Sequence, residues 1–286
     1  MRLSTAIRRF DTQLRADGKS DHTRGSYLRN LQRFKGWLRT DKDVAAITPD
    51  TLAQYCASGQ FTGRRTISIN HTKSALRMFF SFLTDAGHIE INPARLIKNG
   101  RCGQKTPEHF TKQEIRNLLA TIPPKDGPVA RRDRVMFTLL LQTGIRLGSL
   151  VQLRVVDANL SRGAITIKAK GGTEQSVYVN SDLRRLLRSY IKRSGLSPES
   201  PLFPSRNGDH LSHRQVQLRF KHWLGEAGIK RHLTVHSLRH TFAMNLYRNT
   251  GDLRLVQTAL GHKHVSTTEI YARVEDKALR RALEKL

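Results

Sequence analysis

Hydrophobic positions in the first hundred residues recur at the three- and four-residue intervals of amphipathic helices. Two stretches share the spacing i, i+4, i+7, i+11, and a third helix is predicted to start at Thr48, a capping residue, with Pro49 in its first turn. A fourth helix is predicted from about Thr66 to Asp85. Residues 1–98 are therefore expected to form a small four-helix domain. The apolar stripes of the three longer helices are Leu3, Ile7, Phe10 and Leu14; Tyr27, Leu31, Phe34 and Leu38; and Ile69, Leu76, Phe80 and Leu83.

This periodicity is lost between Gly87 and Thr111, where prolines and glycines interrupt the chain. We place an interdomain linker at residues 99–108 and a second domain at residues 109–286. Thr111 and Glu114 have the spacing of a helix-capping box. The nearly all-apolar segment Val135–Leu141 predicts a helix that is buried on every side.

A strand pattern occurs once in clear form, as AITIKAKGGTEQSVYV at residues 164–179. Alternating apolar residues on both sides of a Gly-Gly-Thr turn predict a hairpin with lysines near its tip. Two amphipathic helices follow the hairpin, so the second domain should be mainly helical with a small antiparallel sheet. The apolar faces of those helices are Leu183, Leu186, Leu187, Tyr190 and Ile191, and Val216, Phe220, Trp223 and Leu224.

The charge balance points to a polyanionic partner. The 286 residues include 50 Lys plus Arg against 23 Asp plus Glu, for a formal net charge of +27, and both predicted domains share the excess. Because 38% of the residues are hydrophobic, the chain is expected to fold and not to form a disordered basic tail. Nucleic acid is the first candidate partner, and an anionic membrane surface is the second.

Other classes of protein are disfavoured by what the sequence lacks. It contains no apolar run of about 18 residues, and its first residues are too charged for a signal peptide, so we expect a cytoplasmic protein without a membrane partner. Cys56 and Cys102 predict neither a disulfide framework nor a zinc site. The sequence also has no G-x-x-x-x-G-K-[ST] nucleotide-binding loop.

Four separated segments carry side chains suited to holding a phosphodiester. Arginine presents a planar fork to the non-bridging oxygens of a phosphate, and lysine can donate a proton to a leaving oxygen. Each segment alone is a weak indication, because histidines and arginines of basic proteins often only contact the DNA backbone. The segments are TGIRLGSL with Arg146, KAKGGTEQ with Lys170, TVHSLRHTF with His236, Arg239 and His240, and LGHKHVSTTEIYARV with Gly261, His262 and Tyr271.

Two of these segments have other interpretations when each is considered alone. His236 and His240 lie one helical turn apart, as zinc ligands can, but Ser237 stands where a zincin has glutamate. Tyr271 is by default a half-buried aromatic residue, and a phenol with a pKa near 10 is a poor nucleophile at neutral pH. Gly261 is a predicted helix stop.

Together and in this order, the segments resemble the motifs of the tyrosine recombinases, the phage-integrase family that includes the Xer chromosome-dimer resolvases. TGIRLGSL is similar to T-G-x-R-x-S-E-L, HSLRHTFA to H-x-L-R-H-x-F-A, and LGHKHVSTTEIY to L-G-H-x-x-x-x-T-T-x-x-Y. The resemblance covers residues 111–286, and the four predicted helices fit the family's core-binding, SAM-like domain. One departure is that Gly148-Ser149 replaces the usual Ser-Glu, so the glutamate that commonly braces the arginine is absent.

The resemblance implies site-specific recombination through a 3′-phosphotyrosyl intermediate, with no cofactor and no metal. Tyr271 would attack the scissile phosphate and release a 5′-hydroxyl, and Arg146 and Arg239 would hold the non-bridging oxygens. His236 would take the tyrosine proton, and His262 would hydrogen-bond the phosphate. Lys170, with Lys168 as the fallback, would protonate the leaving oxygen.

The implied partners are a double-stranded DNA recombination site and further copies of the chain. Four subunits would assemble on two sites, whereas the free protein would be a monomer or a weak oligomer, and accessory DNA-bending proteins are compatible with this scheme. Residues 275–286 carry an apolar stripe that predicts a helix docked either on its own subunit or on a neighbour. Integration or excision of a mobile element and resolution of replicon dimers both remain open.

Two rival functions share parts of this pattern. A type IB topoisomerase uses the same phosphotyrosine chemistry but relaxes supercoils without a partner site. A catalytically inert DNA-binding factor would keep the fold alone. The short helical N-terminal domain and the HSLRHTFA motif favour the recombinase.

Overall fold

The computed structural model describes residues 1–103, 106–123, 127–168, 174–261, 268–272 and 274. The chain divides into two compact units, Met1–Gln104 and Lys105–Leu286. The described residues are mostly helical, and a small antiparallel sheet lies in the second unit, which confirms the predicted fold class.

The first unit contains the four predicted helices, and their starts follow local capping rules. The side chains of Ser20 and Thr48 accept hydrogen bonds from the first turns of the second and third helices. Aromatic side chains fill much of the core, and Phe10, Phe34 and Tyr55 are each at most 2% exposed. The helices are α1 (Leu3–Ala16), α2 (Asp21–Leu38), α3 (Pro49–Ala57) and α4 (Thr66–Asp85), with short 3-10 turns at Val44–Ala46 and Gly59–Phe61.

The second unit has its own core. It is formed by helices that precede the sheet in the sequence and helices that follow it. Thr111 caps α5 as predicted: its side chain accepts from the Glu114 amide, and the Glu114 carboxylate accepts from the Thr111 amide. The helices are α5 (Lys112–Thr121), α6 (Gly127–Thr143), α7 (Leu147–Gln152), α8 (Ser181–Ser194), α9 (His213–Glu226), α10 (Val235–Thr250) and α11 (Leu253–Leu260), with a 3-10 turn at Val155–Asp157.

The predicted hairpin is present as two antiparallel strands, β2 (Ala164–Lys168) and β3 (Glu174–Tyr178). Ile165 pairs with Val177, and both side chains are buried, as their alternation with polar residues requires. A two-residue strand β1 (Ala158–Asn159), too short to give a sequence pattern, extends the sheet in the order β1-β2-β3. The turn of the hairpin, residues 169–173, lies outside the described residues.

Helix α6 is longer than the predicted apolar segment Val135–Leu141. Its first half is polar and carries no apolar stripe, which is why periodicity did not reveal it. The expectation of burial on every side was wrong for Thr138 and Leu141, which are partly exposed. The helix packs against α8 and α10, which bury most of its apolar side chains.

Three further sequence predictions concern single features. Both cysteines are free thiols, Cys56 half-buried and Cys102 exposed. Gly261 ends α11 in the left-handed conformation, as predicted for a helix stop. No helix in the described part of the chain is both long and apolar enough to cross a bilayer.

Candidate active site

Arg239 connects three chain segments that are far apart in sequence. It lies on α10, is 4% exposed, and donates hydrogen bonds to the carbonyl oxygens of Gly144 (2.6 Å) and Leu260 (2.7 Å). The first carbonyl follows α6 and the second ends α11. The arginine therefore holds the loop that leads to Arg146 against the end of α11.

Two glycines make this close approach feasible. Gly144 has φ +62°, and a Cβ atom there would collide with the Phe242 ring. Gly261 has φ +61°, and a Cβ atom would lie 2.5 Å from Oε1 of Gln175. The positive φ favours glycine at both positions, and at Gly144 the Phe242 ring also leaves no room for a side chain, whereas at Gly261 the neighbour is the flexible end of Gln175.

Arg146 lies beside Arg239 at the start of α7. It is half-buried, and its Nη2 is 3.5 Å from the carbonyl oxygen of Gly261, the residue after Leu260. No carboxylate of the described residues forms an ion pair with either arginine. Two guanidinium groups thus approach the same turn and lack a counter-charge within the described chain.

The electrostatics at Arg239 reflect this lack of a counter-charge. Burial, and then repulsion by Arg146, lowers the pKa of Arg239 to about 10, while Tyr271 acts in the opposite direction. The guanidinium group is still protonated at neutral pH. An oxyanion placed between the two arginines would supply the missing negative charge.

His236 and His240 project from the same stretch of α10. Their rings meet edge to face, with centroids 4.6 Å apart. The His236 side chain reaches solvent, but protein packed around it, together with the nearby cations Arg239 and Arg146, lowers its pKa. His236 is therefore neutral at pH 7 and able to accept a proton.

Tyr271 is buried in a small cluster between α10 and α11 and is 2% exposed. Its hydroxyl shares a hydrogen bond of 3.0 Å with Nδ1 of His240. Burial raises the pKa of the Tyr271 phenol, and Arg239 partly opposes that shift. The phenol is thus protonated in the DNA-free protein, and its hydrogen-bond partner is His240 and not the predicted acceptor His236.

The sequence places His240 among the candidate side chains of the TVHSLRHTF segment, but the family resemblance gives it no catalytic role. The i, i+4 spacing from His236 placed both histidines on one helix face, and the structure agrees. The contact with Tyr271 could not be predicted, because the two residues are 31 positions apart. Within the described residues, no group of three or more His, Cys, Asp and Glu side chains is arranged to hold a metal ion.

Ser149, which replaces the usual glutamate, contacts the hairpin and not Arg146. Its Oγ donates to the carbonyl oxygen of Lys168 on β2, at 3.1 Å. The Lys168 side chain itself is exposed. The serine therefore joins α7 to the sheet, and the lysine-bearing strand is held next to the helix that starts after Arg146.

Three sequence predictions fall outside the described residues. They are Lys170 at the hairpin turn, His262 after Gly261, and the C-terminal helix over residues 275–286. The structure brings Arg146, His236, Arg239 and Tyr271 to one region, around the ends of α6, α10 and α11.

Comparison with protein-family models gives two matches. Residues 108–278 match the model of the phage integrase family, and residues 7–87 match the model of the phage integrase N-terminal SAM-like domain. The two matches together span most of the chain, and they fall on the two compact units in turn.

Curated relatives match along nearly the whole chain. Tyrosine recombinase XerC of Xanthomonas campestris pv. campestris (strain B100) is 33% identical over 258 residues, covering 90% of this chain and 80% of the relative. Tyrosine recombinase XerC of Vibrio parahaemolyticus is 31% identical over 289 residues, covering 99% and 93%.

Solved structures of DNA complexes have the same fold. The XerH site-specific recombinase bound to a palindromic difH substrate, in a post-cleavage complex, superposes with a TM-score of 0.78 at 26% identity, covering 91% of this chain and 78% of XerH. A lambda integrase tetramer bound to a Holliday junction gives 0.75 at 20% identity, covering 92% and 78%. At the latter identity the likeness concerns the fold alone.

Proposed function

Because the chain belongs to the phage integrase family and is a tyrosine site-specific recombinase, we propose that it cleaves and rejoins DNA through a 3′-phosphotyrosyl bond to Tyr271. The proposed catalytic residues are Arg146, Lys170, His236, Arg239, His262 and Tyr271. The observation that carries this assignment is the convergence of Arg146 and Arg239 on one turn without a carboxylate partner among the described residues.

The arginine pair suits a phosphodiester because of its charge and its shape. The transition state of phosphoryl transfer spreads negative charge over the non-bridging oxygens, and two forked cations in fixed positions stabilise that charge. Hydrogen bonds to the backbone carbonyls of Gly144 and Leu260 fix the Arg239 guanidinium before DNA arrives. Little reorganisation is then needed when the phosphate enters.

In the proposed cleavage step, the Tyr271 oxygen forms a bond to phosphorus while the bond from phosphorus to the 5′-oxygen breaks. The phenolic proton goes to neutral His236, and Lys170 supplies a proton to the leaving 5′-oxygen. The reverse reaction with the 5′-hydroxyl of another strand restores the phosphodiester and the free phenol. No nucleotide is consumed, since the phosphotyrosyl bond conserves the energy of the broken linkage.

Tyr271 must first leave its partner in the DNA-free protein. A phenol that is 2% exposed and hydrogen-bonded to His240 cannot reach a phosphate of a duplex outside the protein. We infer that DNA binding moves Tyr271 toward the arginine pair and His236. This step separates the resting arrangement from the reacting one.

The proposed division of labour assigns residues 1–98 to core-site binding, 99–108 to a linker and 109–286 to catalysis. Crystal structures of XerH with difH and of a lambda integrase tetramer with a Holliday junction show those proteins on DNA. By analogy, the partners of this chain are a double-stranded recombination site and three further copies of itself. An enzyme acting on such DNA works in the compartment that holds it, which we take to be the cytoplasm.

A suicide substrate tests the proposal. DNA next to the encoding gene, nicked near the scissile phosphate, should trap a covalent protein–DNA complex with wild-type protein and none with Tyr271→Phe. Mapping the trapped positions identifies the site and distinguishes integration from dimer resolution. Absence of a covalent complex on all such substrates would support an inert DNA-binding factor, whereas relaxation of plasmids without a site would support a topoisomerase.

A further inference from the structure

A second concave surface lies in the catalytic unit, away from the candidate active site. This arginine cleft has a volume of about 840 Å³ and lies between the start of α6, the end of α8, residues 204–206 and α9. Arg146 follows the opposite end of α6. Val129 lines the cleft, and at 1.5 Å per residue it lies about 21 Å along the helix from Thr143, at the end near Arg146. The cleft is therefore not part of the phosphate site.

The charge of the cleft is of one sign. Its lining contains five arginines and, among the described residues, no carboxylate. A concave surface with cations alone attracts anionic groups and repels basic ones. The five are Arg131, Arg132, Arg193, Arg206 and Arg219.

Two of these arginines are held in fixed positions by ion pairs and further contacts. Asp133, which is fully buried, accepts from Nη2 of Arg132 at 2.9 Å and from Nε of Arg219 at 2.6 Å. Nη1 of Arg132 also donates to the carbonyl oxygen of Pro204 at 2.7 Å, and Arg219 lies over the Trp223 ring at 5.3 Å. Two cations against one carboxylate leave one positive charge in a fixed position.

The other three arginines of the cleft lack a counter-charge within the described chain. Arg131, Arg193 and Arg206 form no ion pair within the described chain, and the buried Nε of Arg131 has no hydrogen-bond acceptor there. Buried donors are normally satisfied in folded proteins. Arg131 lines the cleft, so an anionic group bound there would supply its guanidinium group with the counter-charge that the described chain does not.

Apolar side chains in the same cleft indicate what carries the anionic groups. Val129 is 45% exposed and Leu218 is 54% exposed, and half-buried Leu196 lies with them. A DNA backbone offers phosphates and sugars but no apolar side chains to cover such residues. A protein segment with both carboxylates and large apolar side chains matches both features.

We propose that the arginine cleft is a docking site for an acidic amphipathic segment of a second protein. The chain itself does not supply a suitable occupant. Its last twelve residues, EDKALRRALEKL, carry three acidic and four basic side chains, and in the whole chain 50 basic side chains outnumber 23 acidic ones. Neither the terminal segment nor a second copy therefore brings a surplus of carboxylates to the arginines. The partner is therefore a different, acidic protein, and its binding leaves the phosphate site free.

An unbiased peptide selection tests this proposal. A displayed library of random 12-residue peptides is selected on the wild-type protein at about 0.15 M salt, which screens weak surface attraction. The recovered peptides are expected to be rich in Asp and Glu together with Leu, Ile or Phe. They should bind Arg206→Glu/Leu218→Glu at least roughly tenfold more weakly than the wild type.

A matched control separates the cleft from general basic attraction. Arg254→Glu/Leu255→Glu makes the same charge change at an exposed arginine and leucine on α11, and should leave peptide binding within about twofold. The cleft variant should keep its melting temperature and its affinity for duplex DNA. Peptides without acidic enrichment, equal loss in both variants, or a parallel loss of DNA affinity in the cleft variant would overturn the proposal.

Discussion

Two buried arginines in the catalytic unit, Arg132 and Arg239, are held in opposite ways. Arg132 pairs with the fully buried carboxylate of Asp133. Among the described residues, Arg239 bonds only backbone carbonyls, from Gly144 and Leu260, and burial together with repulsion by Arg146 lowers its pKa to about 10. Carbonyl oxygens orient a guanidinium group but do not neutralise it.

The difference distinguishes a structural arginine from one awaiting a ligand. Leaving a buried cation without a counter-charge is unfavourable for the folded state. A site that retains such a cation is poised for an anion that arrives later, which under the proposed function is the scissile phosphate. At Arg132 the protein carries its own anion, and the ion pair joins α6 to α9 through Arg219 and Trp223.

The largest expected effect is on catalysis, from Arg239→Gln. We expect covalent cleavage of a suicide substrate to slow by roughly 10³-fold, because a preorganised donor to the phosphate is lost. Duplex affinity should change little, since many other cations contact the backbone. Single-turnover cleavage at saturating DNA measures this, with Arg206→Gln as the control. A loss below tenfold would mean that Arg239 does not stabilise the transition state.

The converse variant, Asp133→Ala, should act on stability. It removes the carboxylate that pairs with the Arg132 and Arg219 cations, so the free energy of unfolding should fall by about 3 kcal/mol. Urea denaturation measures the change. Asp182→Ala, which removes an exposed partner of Arg185, should leave stability nearly unchanged. Equal effects of the two variants would contradict the structural role of the buried pair.

Variants of His240 sharpen the account of the resting nucleophile. His240→Leu removes the hydrogen bond to Tyr271 and leaves its hydroxyl buried without that partner, so release should be easier and cleavage roughly 2- to 10-fold faster. His240→Asn keeps an amide near the Nδ1 position and should behave like the wild type. Slower cleavage by the leucine variant would show that His240 assists the attack.

The smallest expected effect is a shift in the pKa of His236, caused by the positive charges of the arginine pair. Burial and the cations Arg239 and Arg146 lower the pKa of His236, so its imidazole should stay neutral to a pH below the usual 6.5. Removing a cation favours protonation, and Arg146→Gln should therefore move the titration midpoint upward. NMR titration of the ring proton, assigned with His236→Gln, checks this. A downward movement would contradict the assigned cause.

Much of the fold could be predicted because helices and hairpins obey local rules. The caps at Thr48 and Thr111, the ends of α4 and the alternation of Ile165 and Ile167 all depend on neighbours in sequence. The polar start of α6 was not predicted, because its buried Asp133 is paired with Arg219 of α9, whose sequence lies far downstream.

The candidate site was predictable in its residue types but not in its contacts. The motif resemblance selected Arg146, His236, Arg239 and Tyr271, and the structure brings these side chains together. It could not select His240 as the partner of Tyr271, nor show that Ser149 bonds the hairpin. Both contacts join elements whose relative placement is decided by packing.

The sequence alone determined the family, the helices and the cations available for a polyanion, since these follow from residue types and short spacings. Only the tertiary structure decided which cation is neutralised. Arg132 meets its anion one residue away, whereas Arg239 meets carbonyls 95 and 21 positions away. Burial and the lack of a nearby carboxylate among the described residues, which act through space and not along the chain, leave the charge of Arg239 uncompensated, as the proposed phosphate site requires.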